Sequence, residues 1–186
     1  MLYHSSDLHP TSDQWVVVVH GDGGSSAIWF AQVRAFRKKY NVVLVDLGGH
    51  GKSKHYATMV KRYTFDMIAK EVLQVLDYLQ IEKAHFIGIS LGTIVIREIA
   101  EKHPQKVSSL VMGGAVMKLN LSGQFLMRLG VLLKSVVPYL MLYRFFAYII
   151  MPRKHHKASR NLFINEAKKL CQKEFKRWFS LVSEVN

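Results

Sequence analysis

Acidic residues are scarce in this chain: 13 Asp and Glu stand against 26 Lys and Arg, a formal net charge of +13 over 186 residues. Cysteine is rarer still. Cys171 stands alone and cannot form an internal disulfide, which removes the disulfide-stapled scaffolds. Long uncharged apolar runs are also missing. The most apolar stretch, Leu119 to Met151, is interrupted by Arg128, Lys134 and Arg144 and broken by Pro138, so it falls short of the ~20 residues a bilayer span needs. The opening MLYHSSDLHP is too polar for the apolar part of a secretory signal, and the expected compartment is the cytoplasm. No internal repeat is visible. What is present is an ordinary folding composition: 49% hydrophobic and 21% charged residues, in a length suited to one domain with a sizeable core. Disordered, collagen-like and low-complexity chains are excluded on the same grounds.

The positive charge is unevenly placed. Through Ala115 there are 13 Lys and Arg against 10 Asp and Glu, whereas from Val116 onward there are 13 against 3. Residues 1–115 therefore carry an ordinary enzyme-type surface. Residues 116–186 combine positive charge with large apolar side chains, and a different role is expected for them.

Four short apolar runs read as strands: Trp15 to Val19, Asn41 to Val45, Ala84 to Ile89 and Val107 to Met112. Between the second and third, Phe65, Ile68, Ala69, Val72, Val75, Leu76 and Leu79 recur at helical spacing, with Thr64 placed as N-cap and Asp66 in the first turn. A second helix is expected from about Leu91 to Lys102, with Pro104 just beyond it. Alternating strands and helices predict an α/β fold with a mostly parallel sheet and right-handed crossovers. Further on, Arg153 to Arg160 reads as a basic connector. Phe163, Ala167, Leu170, Phe175, Trp178, Leu181 and Val185 then keep helical period opposite Lys168, Lys169, Lys173 and Arg177.

Gly88-Ile89-Ser90-Leu91-Gly92 is a G-x-S-x-G between a predicted strand and a predicted helix. In such a tight turn the serine is forced into a strained conformation, and glycines on either side let neighbouring backbone pass close. Ser90 would stand exposed at the carboxyl end of the sheet, where the N-terminus of the following helix favours negative charge on a substrate oxygen. The plainer alternative is a Gly-Ser turn closing a βα unit. His20-Gly21-Asp22-Gly23-Gly24 follows the first strand and can aim backbone N–H groups at the same sheet end, or can simply be a glycine-rich turn. In the catalytic reading the N–H of Asp22, with Gly23 as the next choice, joins the N–H of Leu91 in an oxyanion hole. Asp46 to Ser53 (DLGGHGKS) ends like a phosphate-binding P-loop. That spacing, however, requires glycine where Asp46 stands, and Lys54 to Arg62 lacks the apolar periodicity of the helix that should follow.

HGDGG, DLGGHGKS and GISLG, in that order after successive strands, resemble the α/β-hydrolase fold family, whose members commonly carry HGxGG, DxxGxGxS and GxSxG in these places. The resemblance covers His20 to Gly114. It implies Ser90 as nucleophile, the N–H groups of Asp22 and Leu91 as oxyanion hole, and Asp46 to Ser53 as a structural loop near the pocket. It also implies a helical cap over residues 116–186. Gly21, Gly23, Phe125 and Leu129 are expected at the substrate pocket, and apolar residues such as Phe125 and Leu129 point to a hydrophobic small-molecule acyl substrate.

One part of the family pattern is missing. The triad order is Ser, then an acid, then His. After Ser90 the histidines are His103, at a predicted helix end, and His155 and His156, in the basic connector. The acids after Ser90 are Glu98, Glu101, Glu166, Glu174 and Glu184, all on predicted helices. His20 and His50 read as loop-stabilising residues and His85 as a satisfied core histidine. The expectation is a serine hydrolase of carboxylic esters or related acyl compounds whose final strands, with acid and base, lie beyond the given residues. No metal-ligand spacing is seen and no organic cofactor is required. A sheet ending at Val107 to Met112 leaves an open edge and so favours homo-oligomers. A non-catalytic, membrane-surface protein is the alternative of a different class, with Trp178 and Phe179 beside Lys176 and Arg177 lying on anionic lipid. The charge has no nucleic-acid module around it, and no nucleic-acid partner is expected.

Overall fold

The computed structural model describes residues 1–56, 62–117, 121–133, 136–183 and 185. The chain divides into two compact units, Met1–Val116 and Met117–Asn186. The first is an α/β unit around a five-stranded sheet: β1 (His4–Asp7), β2 (Trp15–Val19), β3 (Asn41–Val45), β4 (Ala84–Ile89) and β5 (Val107–Gly113), in the order β1-β3-β2-β4-β5. β1 is antiparallel to β3 and all other neighbours are parallel. Both β2 and β3 lie inside the sheet, which is why their valines run without polar alternation; Val17, Val18, Val19, Val42, Val43 and Val45 are all fully buried.

Helix α1 (Phe30–Phe36) covers one face of this sheet, where Trp29 and Val33 pack on Val16, Val18 and Val42. On the sequence pattern Val17, Val43 and Phe86 point the other way. Helix α3 (Leu91–Lys102) contacts β2, β4 and β5, and α2 (Phe65–Tyr78) packs beside α3. Thr64 caps α2 by accepting the N–H of Met67 at 3.1 Å. Short 3-10 turns aside, β1 and α1 are the strand and the α-helix absent from the sequence-based expectation of four strands and two helices in this unit. β1 is a polar four-residue edge strand, HSSD, and α1 is a seven-residue helix with no side-chain N-cap, so neither carries a periodic or capping signal. β5 closes the described sheet, and its Val111 and Met112 are exposed. His85 is half-buried rather than a core residue: its Nδ1 lies 2.8 Å from Ser109 Oγ and its ring meets Tyr40 edge-on.

The second unit is helical: α4 (Leu121–Leu133), α5 (Tyr139–Ile150), α6 (Lys157–Ala167) and α7 (Gln172–Val182). The basic connector is shorter than expected, because residues from Lys157 onward already belong to α6. The period from Phe163 to Val185 is likewise shared between two helices. The chain breaks at Cys171, whose backbone is extended, while Leu170 turns inward and its carbonyl accepts the Tyr139 hydroxyl at 2.5 Å. Leu142, Tyr143, Ala167, Leu170, Phe175 and Phe179 form this unit's core, and Trp178 is fully buried. Trp178 and Phe179 therefore cannot lie on a lipid surface: α7 turns its apolar face into the unit, and the expectation that it contacts lipid is corrected. Glu184 lies outside the described residues.

Phe175→Ala should cost about 3–5 kcal/mol, because it opens a cavity among rings that cannot collapse onto it. Leu132→Ala, at an exposed position on α4, should stay within about 0.5 kcal/mol of the parent. Urea denaturation followed by far-ultraviolet circular dichroism separates the two.

Candidate active site

Three loops leave the carboxyl ends of β2, β3 and β4, and close approach of backbones organises them. A Cβ on Gly88 would lie 2.6 Å from the carbonyl oxygen of Gly92, and one on Gly92 would lie 2.5 Å from that of Val19. Only glycine permits α3 to start this close to β4 and β2. Between these glycines Ser90 adopts φ 52°, ψ −118°, a conformation that costs a non-glycine residue on the order of 1–3 kcal/mol. The surroundings hold it there. The Ser90 N–H donates to the Gly113 carbonyl at the end of β5 (2.9 Å), and the Ser90 carbonyl accepts both the N–H (2.9 Å) and the hydroxyl (2.6 Å) of buried Thr93.

Ser90 is exposed, and no described residue hydrogen-bonds its hydroxyl oxygen. It stands at the N-terminus of the twelve-residue helix α3, where the N–H of Leu91, as the first helical residue, has no intrahelical acceptor. Gly21 passes beside it: a Cβ there would lie 3.2 Å from Ser90 Cβ and 3.8 Å from Ser90 Oγ. The first glycine of HGDGG and the serine of GISLG are thus brought side by side.

Two buried histidines fasten the loop after β2 to the loop after β3. The Leu47 N–H donates to His20 Nε2 at 3.0 Å, and His20 Nδ1 lies 2.7 Å from the Gly21 carbonyl. In the reverse direction the Gly23 N–H donates to His50 Nε2 at 3.0 Å, and His50 Nδ1 lies 3.1 Å from the Gly48 carbonyl. Each ring therefore accepts on Nε2 and holds its proton on Nδ1. Asp22 Oδ1 stands 3.4 Å from His50 Nε2. Burial, then the neighbouring His50, pulls the His20 ring down to about 4 from 6.5, against the opposing pull of the Gly21 carbonyl and the Asp46 and Asp22 carboxylates. Asp46, also buried, accepts the Ser26 N–H on Oδ1 (2.7 Å) and the Lys52 N–H on Oδ2 (2.8 Å). The positive φ of Gly51 leaves room for that carboxylate, which a side chain at 51 would overlap.

The model of the alpha/beta hydrolase fold matches residues 14–169. The chain belongs to the alpha/beta hydrolase fold family. Among similar proteins, the dihydrolipoyllysine-residue acetyltransferase component of the acetoin cleaving system of Pseudomonas putida is 37% identical over 112 residues, which cover 60% of this chain and 30% of that protein. The putative carbamate hydrolase RutD of Stutzerimonas stutzeri is 38% identical over 96 residues, 52% of this chain and 36% of that protein. The chain therefore spans about a third of the length of these relatives. A hydrolase from Pseudomonas aeruginosa superposes with a TM-score of 0.82 at 21% identity, covering all of this chain and 69% of that one, a likeness of fold.

Within this hydrolase fold the other sequence expectations divide clearly. The N–H of Gly23, the second choice for an oxyanion donor, is taken by His50. The P-loop is ruled out by its donors: the N–H groups of Gly49, His50, Lys52 and Ser53 all bond within the loop, and Lys52 Nζ donates to the Tyr3 hydroxyl at 2.9 Å. His103 caps α3, and Glu98, Glu101, Glu166 and Glu174 all lie on helices. His155 and His156 meet edge-on, 4.2 Å apart, in the helical unit. Phe125 and Leu129 are on α4 of that unit, where Leu129 lines an apolar cavity of about 230 Å³. Thr93 and Gly113, which hold Ser90 in place, were not singled out in the sequence: Gly113 comes beside Ser90 only through the pairing of β4 with β5, and Thr93, although three residues along, is an ordinary helix residue by type.

His20 supplies a pH dependence. Its ring binds a proton near pH 6.5 when unfolded and near pH 4 when folded, so stability is complete above 6.5 and falls as pH drops toward 4. The loss should reach about 3 kcal/mol. Urea midpoints measured across this window should show it, and His20→Gln, though less stable at neutral pH, should lose less on acidification.

Proposed function

We propose that this chain acts as a serine hydrolase on carboxylic esters or related acyl compounds, with Ser90 as nucleophile. The observation that carries the reading is Ser90 itself: an exposed hydroxyl in a strained, positive-φ turn at a helix N-terminus, beside the backbone of Gly21. Strain of this kind persists only where surrounding structure imposes it, and a turn needed merely for connection would place glycine there. Membership of the hydrolase fold family and the hydrolase named among the relatives support the same reading.

In this mechanism Ser90 Oγ attacks the substrate carbonyl carbon, a C–O bond forms, and the carbonyl electron pair moves onto oxygen. The N–H groups of Leu91 and Asp22 meet that oxyanion, and the aligned peptide dipoles of α3 add favourable potential. Collapse of the tetrahedral species expels the alcohol and leaves an acyl-serine, which water cleaves to acid and free Ser90. The Ser90 proton must pass to a base, and no described residue bonds that hydroxyl. The expectation for these 186 residues on their own is slow turnover, since a serine without its histidine partner typically loses several orders of magnitude and keeps a residual ~10³–10⁴-fold from oxyanion stabilisation and binding.

A fluorophosphonate probe should label the 186-residue chain slowly and at Ser90 alone. Ser90→Ala should abolish labelling; label persisting in that variant would overturn the assignment. Gly21→Ala should slow labelling while leaving the fold intact, since its methyl group would press on the Ile89 carbonyl at 3.1 Å and on Ser90 Cβ at 3.2 Å. Equal labelling of Gly21→Ala and parent would show that the approach of this loop to Ser90 is immaterial.

A further inference from the structure

Helices α4 and α5 have two apolar faces where one suffices to build the core. Inward, α5 contributes Leu142 and Tyr143 to the packed cluster of the helical unit. Outward, α5 presents Met141, Phe145, Tyr148 and Ile149 at i, i+4, i+7 and i+8, and α4 presents Phe125, Leu129 and Leu132 in the same manner. Phe125 is 69% exposed, Leu132 75% and Phe145 52%. The two stripes join: Leu129 and Leu133 of α4 and Met141 and Phe145 of α5 line the apolar cavity of about 230 Å³. A contiguous exposed apolar surface of this kind marks an interaction site.

The charges around it have one sign. No Asp or Glu occurs between Glu101 and Glu166, and the charged residues on the two helices, Arg128 and Arg144, are both exposed cations. A second copy would bring cations against cations. A nucleic acid would satisfy the cations but leave the leucines, phenylalanines and isoleucines unmatched. A surface that accepts both is an apolar layer beneath anionic groups. At twelve residues α5 is about 18 Å long, too short for a hydrocarbon core of ~30 Å, so such a helix lies along a bilayer rather than across it. We propose that the outward faces of α4 and α5 dock this protein on an anionic lipid surface, with Phe125, Leu132 and Phe145 entering the acyl boundary and Arg128 and Arg144 meeting the headgroups. The proposal does not depend on the chemistry at Ser90.

Flotation of the full chain with vesicles of phosphatidylcholine alone, and of phosphatidylcholine mixed with phosphatidylserine, tests it. The mixed vesicles should carry the protein, added salt should release it, and neutral vesicles should bind it far less. Arg144→Glu should weaken binding at least about fivefold, and Arg144→Gln by less. Leu132→Ser combined with Phe145→Ser should weaken it about tenfold or more at unchanged charge; both side chains are exposed, and circular dichroism should show an unaltered fold. Failure to float with either vesicle overturns the proposal, as does binding that ignores the apolar pair. A dimer by light scattering that those substitutions disperse, in the absence of vesicle binding, overturns it in favour of a second copy.

Discussion

The site depends on how closely three backbones can approach at the carboxyl end of the sheet. Gly88 and Gly92 lack the one atom that would separate β4, α3 and the end of β2. Given that approach, the link between Ile89 and Leu91 has no room for an ordinary turn, and Ser90 is driven to positive φ. Its exposure, its position at the head of α3 and its contact with Gly21 all follow from the same lack of space. The strain is held by bonds at both sides of the residue, to Gly113 on β5 and to Thr93 on α3, so sheet and helix jointly maintain it.

Beside the elbow, the loops after β2 and β3 are fixed by reciprocal bonding. Each histidine accepts a backbone N–H from the other loop and lies near a carbonyl of its own, while Asp46 accepts an N–H from each side. Buried backbone donors in irregular segments need such partners, and uncharged imidazole serves where water is excluded. These residues act as scaffold: both ring nitrogens of each histidine, and both carboxylate oxygens of Asp46, are engaged by backbone groups of the two loops. The helical unit divides its chemistry differently. α7 buries Trp178, Phe175 and Phe179, and α4 and α5 keep apolar side chains on the outside.

In the first unit much was legible beforehand. Continuous valine runs marked β2 and β3, helical spacing with Thr64 marked α2, and the G-x-S-x-G between strand and helix located Ser90. β1 and α1 were not legible, because a polar edge strand and a short uncapped helix take their stability from neighbours distant in sequence. In the second unit the periodic apolar positions of α7 were correctly placed on a helix, but period alone does not say whether a face meets the core or the outside. That choice is made by which partners are present to cover it, and α7 had Tyr143 and Leu142 of α5 to pack against.

By itself, the sequence determined the strand–loop–helix order, the glycines at which only a bare backbone fits, the serine between them and the imbalance of charge after Val116. These are local properties, set by side-chain volume, periodicity and formal charge. Tertiary structure alone decided that Gly21 lies against Ser90, that the Gly23 N–H is taken by His50, and that the exposed apolar surface belongs to α4 and α5. Each of those depends on contacts between residues far apart in the chain, and no local pattern specifies which surfaces meet.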